Sequence, residues 1–321
     1  MKVGLFLNTQ FQPEQNVMAA LPDLVAQTRA ARDAGFKSLW FPHHYLTGPL
    51  QMLQIVPMMA YLAQHAEGMQ IGPNILILPL LNPVHVAEES ATLDVLTRGN
   101  YVLGVGLGYR EGEFTAFGMS LKERAPRIEE SVALMRRLWS GEKVTHKGRF
   151  YEVKDHAIGL KPLRDGGPPI WFAGTAEAAI KRAARLGDAW MIVPSTTLDD
   201  LVPQMRVYRE ALGQRVPDCF PIVRECYVGA SHHTALEECR AALQYKYDAY
   251  ASWGLSGRQA PAFEDLVRNR FIIGDAMFVK EEIARYREAL GVDHFQMRCH
   301  WPGLEFDKSL ASIRRLGEIF A

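Results

Sequence analysis

Residues 70–105 read QIGPNILILPLLNPVHVAEESATLDVLTRGNYVLGV. An apolar run of strand length, Gln70–Leu78, gives way to Asn82 and Pro83, an N-cap followed by a first-turn proline. A 3.6-residue periodicity continues to about Leu96, Gly99 ends it, and Tyr101–Val105 is a second apolar run. Strand, helix, strand in one short span is a βαβ unit. The unit recurs in both directions. Upstream, Val3–Leu7 precedes a helix from about Val17 to Ala34 closed by Gly35, and Ser38–Phe41 precedes a helix around Leu53–His65.

Downstream, the fourth strand is followed by a long helical segment ending near Trp139. Ile170–Ala173, Ala189–Val193, Ile222–Val228 and His294–Cys299 then carry helices at Ala176–Leu186, Asp199–Leu212, about Ala235–Tyr250 and about Lys308–Phe320. A further helix, Lys280–Leu290, precedes the last strand. The strands are apolar on both faces, as buried parallel strands must be. Eight strand–helix units predict an α/β fold, a (β/α)8 TIM barrel forming one domain over residues 1–321. A doubly wound sheet is the rival. Two stretches break the repeat and predict insertions at the C-terminal face, at about 141–169 and 252–275. The first holds two extended pieces, Phe150–Val153 and Ile158–Pro162; the second reads as irregular.

A minimal barrel takes about 250 residues, so 321 leaves room for those insertions. Hydrophobic residues make up 48% and charged residues 22%, which excludes a disordered chain. Lys plus Arg and Asp plus Glu each number 36, so no bulk charge draws the chain to nucleic acid or to an anionic membrane. The four cysteines, at 219, 226, 239 and 299, have no Cys-x-x-Cys spacing and read as reduced, buried thiols. The first residues hold no apolar run of signal-peptide length, and the longest uncharged apolar stretch, Ile75–Leu81, cannot span a bilayer. A soluble cytoplasmic protein is expected.

Chemistry in such barrels sits at the C-terminal strand ends. Asn8 ends the first strand. The second runs into Pro42-His43-His44-Tyr45, the fourth into Gly104-Val105-Gly106-Leu107-Gly108-Tyr109-Arg110, and the eighth into Arg298-Cys299-His300-Trp301. Adjacent histidines on an extended chain face opposite ways, so they are poor co-ligands, and no His-x-His is present; no metal site is expected. One imidazole at a strand end suits general base work, although a hydrogen-bonded structural histidine is equally consistent. Gly104-x-Gly-x-Gly108 lacks the dinucleotide spacing; its glycines permit close approach of a flat ligand or simply a tight turn. Gly174-Thr175 opens a helix and reads as an anion site or as a plain Thr cap. No cluster of cations at several strand ends demands a strongly anionic substrate, although Arg110 and Arg298 leave one open.

Taken together, Gly35-Phe36-x-x-x-Trp40-x-x-His43-His44, Leu78-Pro79-x-x-x-Pro83, Gly104-x-Gly-x-Gly-Tyr109-x-x-x-Glu113-Phe114-x-x-Phe117-Gly118, Arg127-x-x-Glu-Glu130, Leu138-Trp139 and Trp301-Pro302-Gly303 resemble the bacterial luciferase-like monooxygenase superfamily. The resemblance covers most of the chain and weakens over Ser252–Asp275. It implies a (β/α)8 barrel, commonly a homodimer joined near helices two to four, where Gln54–Leu62 and Val84–Leu96 are apolar enough to contribute. It also implies reduced flavin or deazaflavin as cofactor.

Residue by residue, the resemblance makes His44 the catalytic base beside the flavin, with His43 where the family usually carries Glu. Asn74-Ile75 matches a non-proline cis peptide under the isoalloxazine ring. Gly106, Gly108, Tyr109 and Arg110 match the cofactor-binding turn; Leu107 stands where luciferase has a phosphate-reaching Arg, which leaves Arg110 as the nearest cation. Gly174 and Thr175 match the phosphate turn, which in luciferase is Glu-Ser. Residues 252–275 match the mobile loop that would act as a lid and exclude water. His43, Tyr45, Arg298 and Trp301 fall in the substrate pocket, with Phe6, Phe11, Tyr109 and Phe172 as further apolar lining. The implied activity is oxygenation of a small, largely apolar organic molecule by O2 and reduced FMN supplied by a separate flavin reductase. The alternatives are a deazaflavin-dependent hydride-transfer oxidoreductase, a non-catalytic flavin-binding protein and a metal-dependent barrel hydrolase.

Overall fold

The stretch 70–105 folds as strand, helix and strand. The Asn82 side chain accepts from Val84 N at 2.9 Å with Pro83 in the first turn, and Gly99 leaves the helix with φ +80°. The computed structural model describes residues 1–254 and 261–320. Its barrel strands are β1 Lys2–Phe6, β2 Ser38–Phe41, β3 Gln70–Pro73, β4 Leu103–Gly106, β5 Ile170–Ala173, β6 Ala189–Met191, β7 Pro221–Val228 and β8 His294–Arg298. Parallel pairing runs β7–β8–β1–β2–β3 and β4–β5–β6. Bridges at Ile71–Tyr101 and Ile192–Ile222 join the two sheets and close the ring. The intervening helices are α1 Val17–Asp33, α2 Ile55–Ala63, α3 Pro83–Leu96, α4 Arg124–Leu138, α5 Glu177–Leu186, α6 Leu198–Leu212, α7 His232–Ser252 and α8 Phe306–Phe320.

The departures from the sequence pattern lie in the connections. The third apolar run is not one strand to Leu78: β3 stops at Pro73, the Asn74–Ile75 peptide is cis, and Leu76–Ile77 pairs with β4 before a single turn at Leu78–Leu80. The helical segment after β4 divides into a short helix, Glu111–Ala116, and α4, with Gly118 at φ +67° between them. The extended pieces of the first insertion form one antiparallel hairpin, Val144–Lys147 with Glu152–His156, rather than lying at Phe150–Val153 and Ile158–Pro162. The Glu130 carboxylate explains this, because it accepts from Phe150 N at 3.1 Å and Tyr151 N at 3.0 Å and so holds those residues in the turn. The second insertion is not wholly irregular. It contains a helix Phe263–Val267 and a strand Ile272–Gly274 parallel to β7, while residues 255–260 lie outside the described residues. The helix before β8 starts earlier than its periodicity indicates, at Ala276, because Asp275 caps it.

Two apolar layers result. Inside the barrel, Phe6, Trp40, Trp171, Met191 and Val223 pack together, with Trp40 and Trp171 stacked at 5.0 Å. Such large rings fit because Gly72 carries no side chain; a Cβ there would lie 2.8 Å from the Trp40 ring and 2.3 Å from Val102 O. Outside, strands and helices bury the larger layer that includes Leu5, Leu39, Leu103 and Ile313. The four cysteines are buried and unbonded, as the spacing indicates. No helix among the described residues is long and apolar enough to cross a membrane. The tryptophan plug leaves the C-terminal mouth as the place where a ligand can enter.

Candidate active site

A cavity of about 460 Å³ opens at that mouth, within the ordinary range for small-molecule sites. His43, His44, Asn74, Ile75, Gly106, Gly108, Tyr109, Gly174, Thr175 and Arg298 all line it. Three residues expected at the site stand elsewhere. Tyr45 packs behind His43 at 4.6 Å, Trp301 is fully buried with its indole N–H donated to Glu225, and Arg110 is turned onto the backbone. Of the aromatic lining residues expected, Phe6 and Tyr109 reach the cavity, whereas Phe11 and Phe172 belong to the outer apolar layer.

At the end of β2 the two histidines have different tasks. The His43 ring accepts from Ile77 N at 3.1 Å through Nδ1, and burial followed by the neighbouring His44 lowers its pKa to about 3. It is therefore a neutral strut that ties β2 to the chain just beyond the cis peptide. His44 presents Nδ1 to Glu113 Oε1 at 3.2 Å. Burial pushes the Glu113 carboxyl up, but bonds from His44 and Tyr45 N–H and the charge of Arg110 outweigh it, so the net shift is downward. Arg110 donates to Tyr45 O at 2.6 Å, Leu46 O at 3.0 Å and Glu113 Oε1 at 3.3 Å, and its guanidinium lies 4.6 Å over the Trp253 ring. With Glu113 it clamps the backbone that follows His44. The imidazole is ringed by Tyr109 at 5.7 Å, Tyr250 at 6.1 Å and Trp253 at 5.6 Å. The Tyr109 hydroxyl is buried without a partner among the described residues, and burial raises its pKa.

Between β3 and β4 the wall is shaped by Ile75. Its side chain occupies the space that a Cβ on Gly106 would need, at 2.7 Å. Beside it, Asn74 donates its amide to Gln296 on β8. At β5, Gly174 O accepts from the Trp190 indole at 2.9 Å, and a Cβ on Gly174 would meet Ala179 at 2.6 Å. The cap of α5 is Ala176, with no side-chain cap bond, so Thr175 is not a plain N-cap. The first bond of that turn is Ala179 N to Ala176 O at 2.8 Å, which leaves the earlier amides without helical acceptors. Arg124 and Ser195 also line the cavity. Free amides at a helix start beside the Thr175 hydroxyl are the chemistry an anion requires.

The sequence reading missed Glu113 as a partner of His44, Arg124 as a cation lining the cavity, and the group formed by Glu225, Lys246, Tyr247 and Tyr250. A signal existed for Glu225, an acid in the middle of the apolar run Ile222–Val228. None existed for Arg124, one of several charges in a polar stretch.

The family model described as luciferase-like monooxygenase matches residues 1–294. The F420-dependent glucose-6-phosphate dehydrogenase of Amycolatopsis mediterranei is 29% identical over 309 residues, covering 91% of this chain and 92% of that protein. The oxygenase component of the flavin-dependent trigonelline monooxygenase of Acinetobacter baylyi is 22% identical over 344 residues, covering 98% and 93%. Among solved structures, monooxygenase RslO1 from Streptomyces bottropensis superimposes with a TM-score of 0.85 at 23% identity, covering 99% of this chain and 98% of that one.

Proposed function

The chain belongs to the luciferase-like monooxygenase family, and from that premise we propose that it uses reduced FMN, supplied by a separate flavin reductase, and O2 to oxygenate a small, largely apolar organic molecule. The family joins flavin-dependent monooxygenases and F420-dependent oxidoreductases, and the chain is an enzyme of that kind. The observation that carries the oxygenase reading is the enclosure of His44 by Tyr109, Tyr250 and Trp253. Oxygen chemistry at a reduced ring needs water kept away, and an aromatic wall does that.

The residues present fit FMN. Gly106 leaves room for Ile75 to support a flat ring, the unpartnered Tyr109 hydroxyl offers it a hydrogen bond, and Thr175, Ser195, Arg124 and the start of α5 fit a terminal phosphate. When bound, the reduced flavin would supply the electrons that activate O2. The chain's own groups do the rest. Glu113 accepts the Nδ1 proton of His44 and fixes the ring, which leaves Nε2 to take or return a proton at the reacting centre. His43, neutral and immobile, holds the strand behind it. Phe6 and Tyr247 offer apolar surface to the substrate.

A second reading, hydride transfer with a deazaflavin, is favoured by the F420-dependent relative at 29% identity. The same His44–Glu113 pair would then manage an alcohol proton. We also place homodimerisation on α2 and α3, where Tyr61, Val95 and Leu96 are exposed. The deciding experiment titrates the apoprotein with FMN, reduced FMN and F420, then follows oxygen consumption. Oxygen uptake dependent on reduced FMN is expected. Tight F420 binding without oxygen uptake would overturn the oxygenase reading.

A further inference from the structure

The cavity has a second cationic end, on the side of β7 and β8. Arg298 closes β8, in register with Glu225 of β7, and α7 brings Lys246, Tyr247 and Tyr250 over both. Glu225 is already satisfied. Its Oε1 accepts from Lys246 Nζ and from the Tyr247 hydroxyl at 3.2 Å, and its Oε2 accepts from the Trp301 indole N–H. Arg298 Nη1 stays 3.8 Å from Oε1, and neither Nη1 nor Nε has a hydrogen-bond partner among the described residues. One face of the guanidinium is covered by the Phe6 ring, with Cζ 3.9 Å from the ring centroid. The residue is only 4% exposed yet lines the cavity.

From this geometry we propose that the substrate is a small apolar acid whose carboxylate binds Arg298, with Lys246 as the supporting cation. The proposal rests on the reading of this cavity as the active site and deepens it by naming the substrate class. Two buried cations face one buried carboxylate, and the other nearby cation does not share the load. Arg224 leaves in the opposite direction, to Val193 O at 3.0 Å, Thr196 O at 3.2 Å and the Tyr286 ring. A surplus positive charge with open donors in an apolar setting is unfavourable until a ligand neutralises it or Lys246 releases its proton. A monoanion balances that surplus, whereas a phosphate dianion would replace it with a buried negative charge. Phe6, Tyr247 and Tyr250 leave aromatic wall for the rest of the molecule.

The charge states agree with this. Burial pushes the Arg298 guanidinium down, but Glu225 reverses that and keeps it charged. Burial and the Arg298 charge bring Lys246 down to about 7 against the pull of Glu225, so a second carboxylate at this end would favour the ammonium. The site is distinct from the anion seat at β5, since β8 stands three strands away round the barrel in the order β5–β6–β7–β8.

The test is calorimetric titration of the flavin-free protein with benzoate, its neutral isostere benzamide and inorganic phosphate. Benzoate is expected to bind about tenfold or more tightly than benzamide, the yield of a charge-assisted contact. Arg298→Met should erase that preference, and Arg298→Lys should keep part of it. All three proteins should bind FMN within about twofold of one another, which also reports that the variants fold. Equal binding of benzoate and benzamide to the parent, a preference that survives Arg298→Met, or phosphate binding that is tighter than benzoate and lost in Arg298→Met would each overturn the proposal. Should the parent prefer benzoate but bind no flavin, the acid site stands and the flavin reading falls.

Discussion

Replacing Glu113 by Gln separates the support of His44 from the support of the backbone. Oε1 serves Tyr45 N at 2.9 Å, His44 Nδ1 at 3.2 Å and Arg110 Nη1 at 3.3 Å, while Oε2 is buried without a partner among the described residues. A Gln oxygen can retain the first set of contacts. Its NH2 must then take the Oε2 place with two donors and no acceptor, at about 1–3 kcal/mol. Losing the negative charge beside Arg110, which is 14% exposed, adds roughly 1 kcal/mol. The sum is about 2–4 kcal/mol. At a length of 321 residues, each kcal/mol lowers the melting temperature by about 1.5 °C, so a fall of about 3–6 °C is expected. Glu113→Ala removes all three contacts and should cost about 3–5 kcal/mol, as broken buried pairs do. The assay pairs a thermal melt with oxygen uptake driven by reduced FMN. Uptake should fall about tenfold or more in Glu113→Gln, because the charge that orients His44 is gone. FMN affinity should hold, because Glu113 is not among the residues lining the cavity. A melt that falls as calculated with uptake unchanged would make Glu113 a strut only and refute the dyad.

Three further outcomes are expected. His44→Ala should leave FMN affinity intact and depress reduced-FMN-dependent uptake by about a hundredfold or more; unchanged turnover sinks its role. Arg124→Met should weaken FMN by about tenfold but leave riboflavin, which lacks the phosphate, unaffected. Equal losses for both ligands would show that Arg124 serves the fold, where among the described residues its side chain makes one bond, at 3.4 Å to Leu121 O. Stability should drop in mild acid. Burial lowers the pKa of His43 and of His294 to about 3 and that of His300 to about 4, all below the unfolded value of about 6.5. The unfolded chain therefore takes up protons first. Stability is present above about pH 6.5 and is lost toward pH 3–4, by about 2 kcal/mol per imidazole at pH 5. Thermal melts between pH 8 and pH 4.5 check this, and a flat series would contradict it.

The barrel was legible because strands and helices are local patterns. Each of the eight apolar runs became a barrel strand, and Gly35, Asn82 and Gly99 punctuate as their chemistry requires. The insertions were less legible, because their form is set by distant partners. Glu130 on α4 decides where the hairpin at 144–156 turns, and no periodicity within that segment reports it. The site divides in the same way. His44, Gly106 and Gly174 could be placed at the mouth because they follow or end strands, whereas Ile75 came only through the family resemblance, since the apolar run reads through it to Leu78. Glu113 sits 69 residues from His44 and Lys246 sits 21 from Glu225. A contact across that separation depends on how helices fold back over the mouth, and neither composition nor spacing encodes it.

The cations show why position alone misleads. On the strand-end criterion Arg110 and Arg298 look equivalent, each one residue in a polar strand terminus. Their surroundings make them opposites. Arg110 has three donors engaged, by two backbone carbonyls and a carboxylate, and an indole on its face, so it is a structural clamp. Arg298 has a phenyl face and open donors, because Lys246, Tyr247 and Trp301 reach Glu225 first. A guanidinium carries five N–H donors, so the number left unmatched measures its availability for a ligand. With the anion seat at β5 and Arg298 at β8, a cofactor and an acid substrate would enter from different sides, with His44 at the end of β2 on the rim that joins β8 through β1–β4 to β5. Exchanging the two environments is therefore informative. Removing Glu225 as Glu225→Gln should leave Arg298 and Lys246 without their counter-charge and tighten benzoate binding, whereas Glu113→Gln should leave it unchanged.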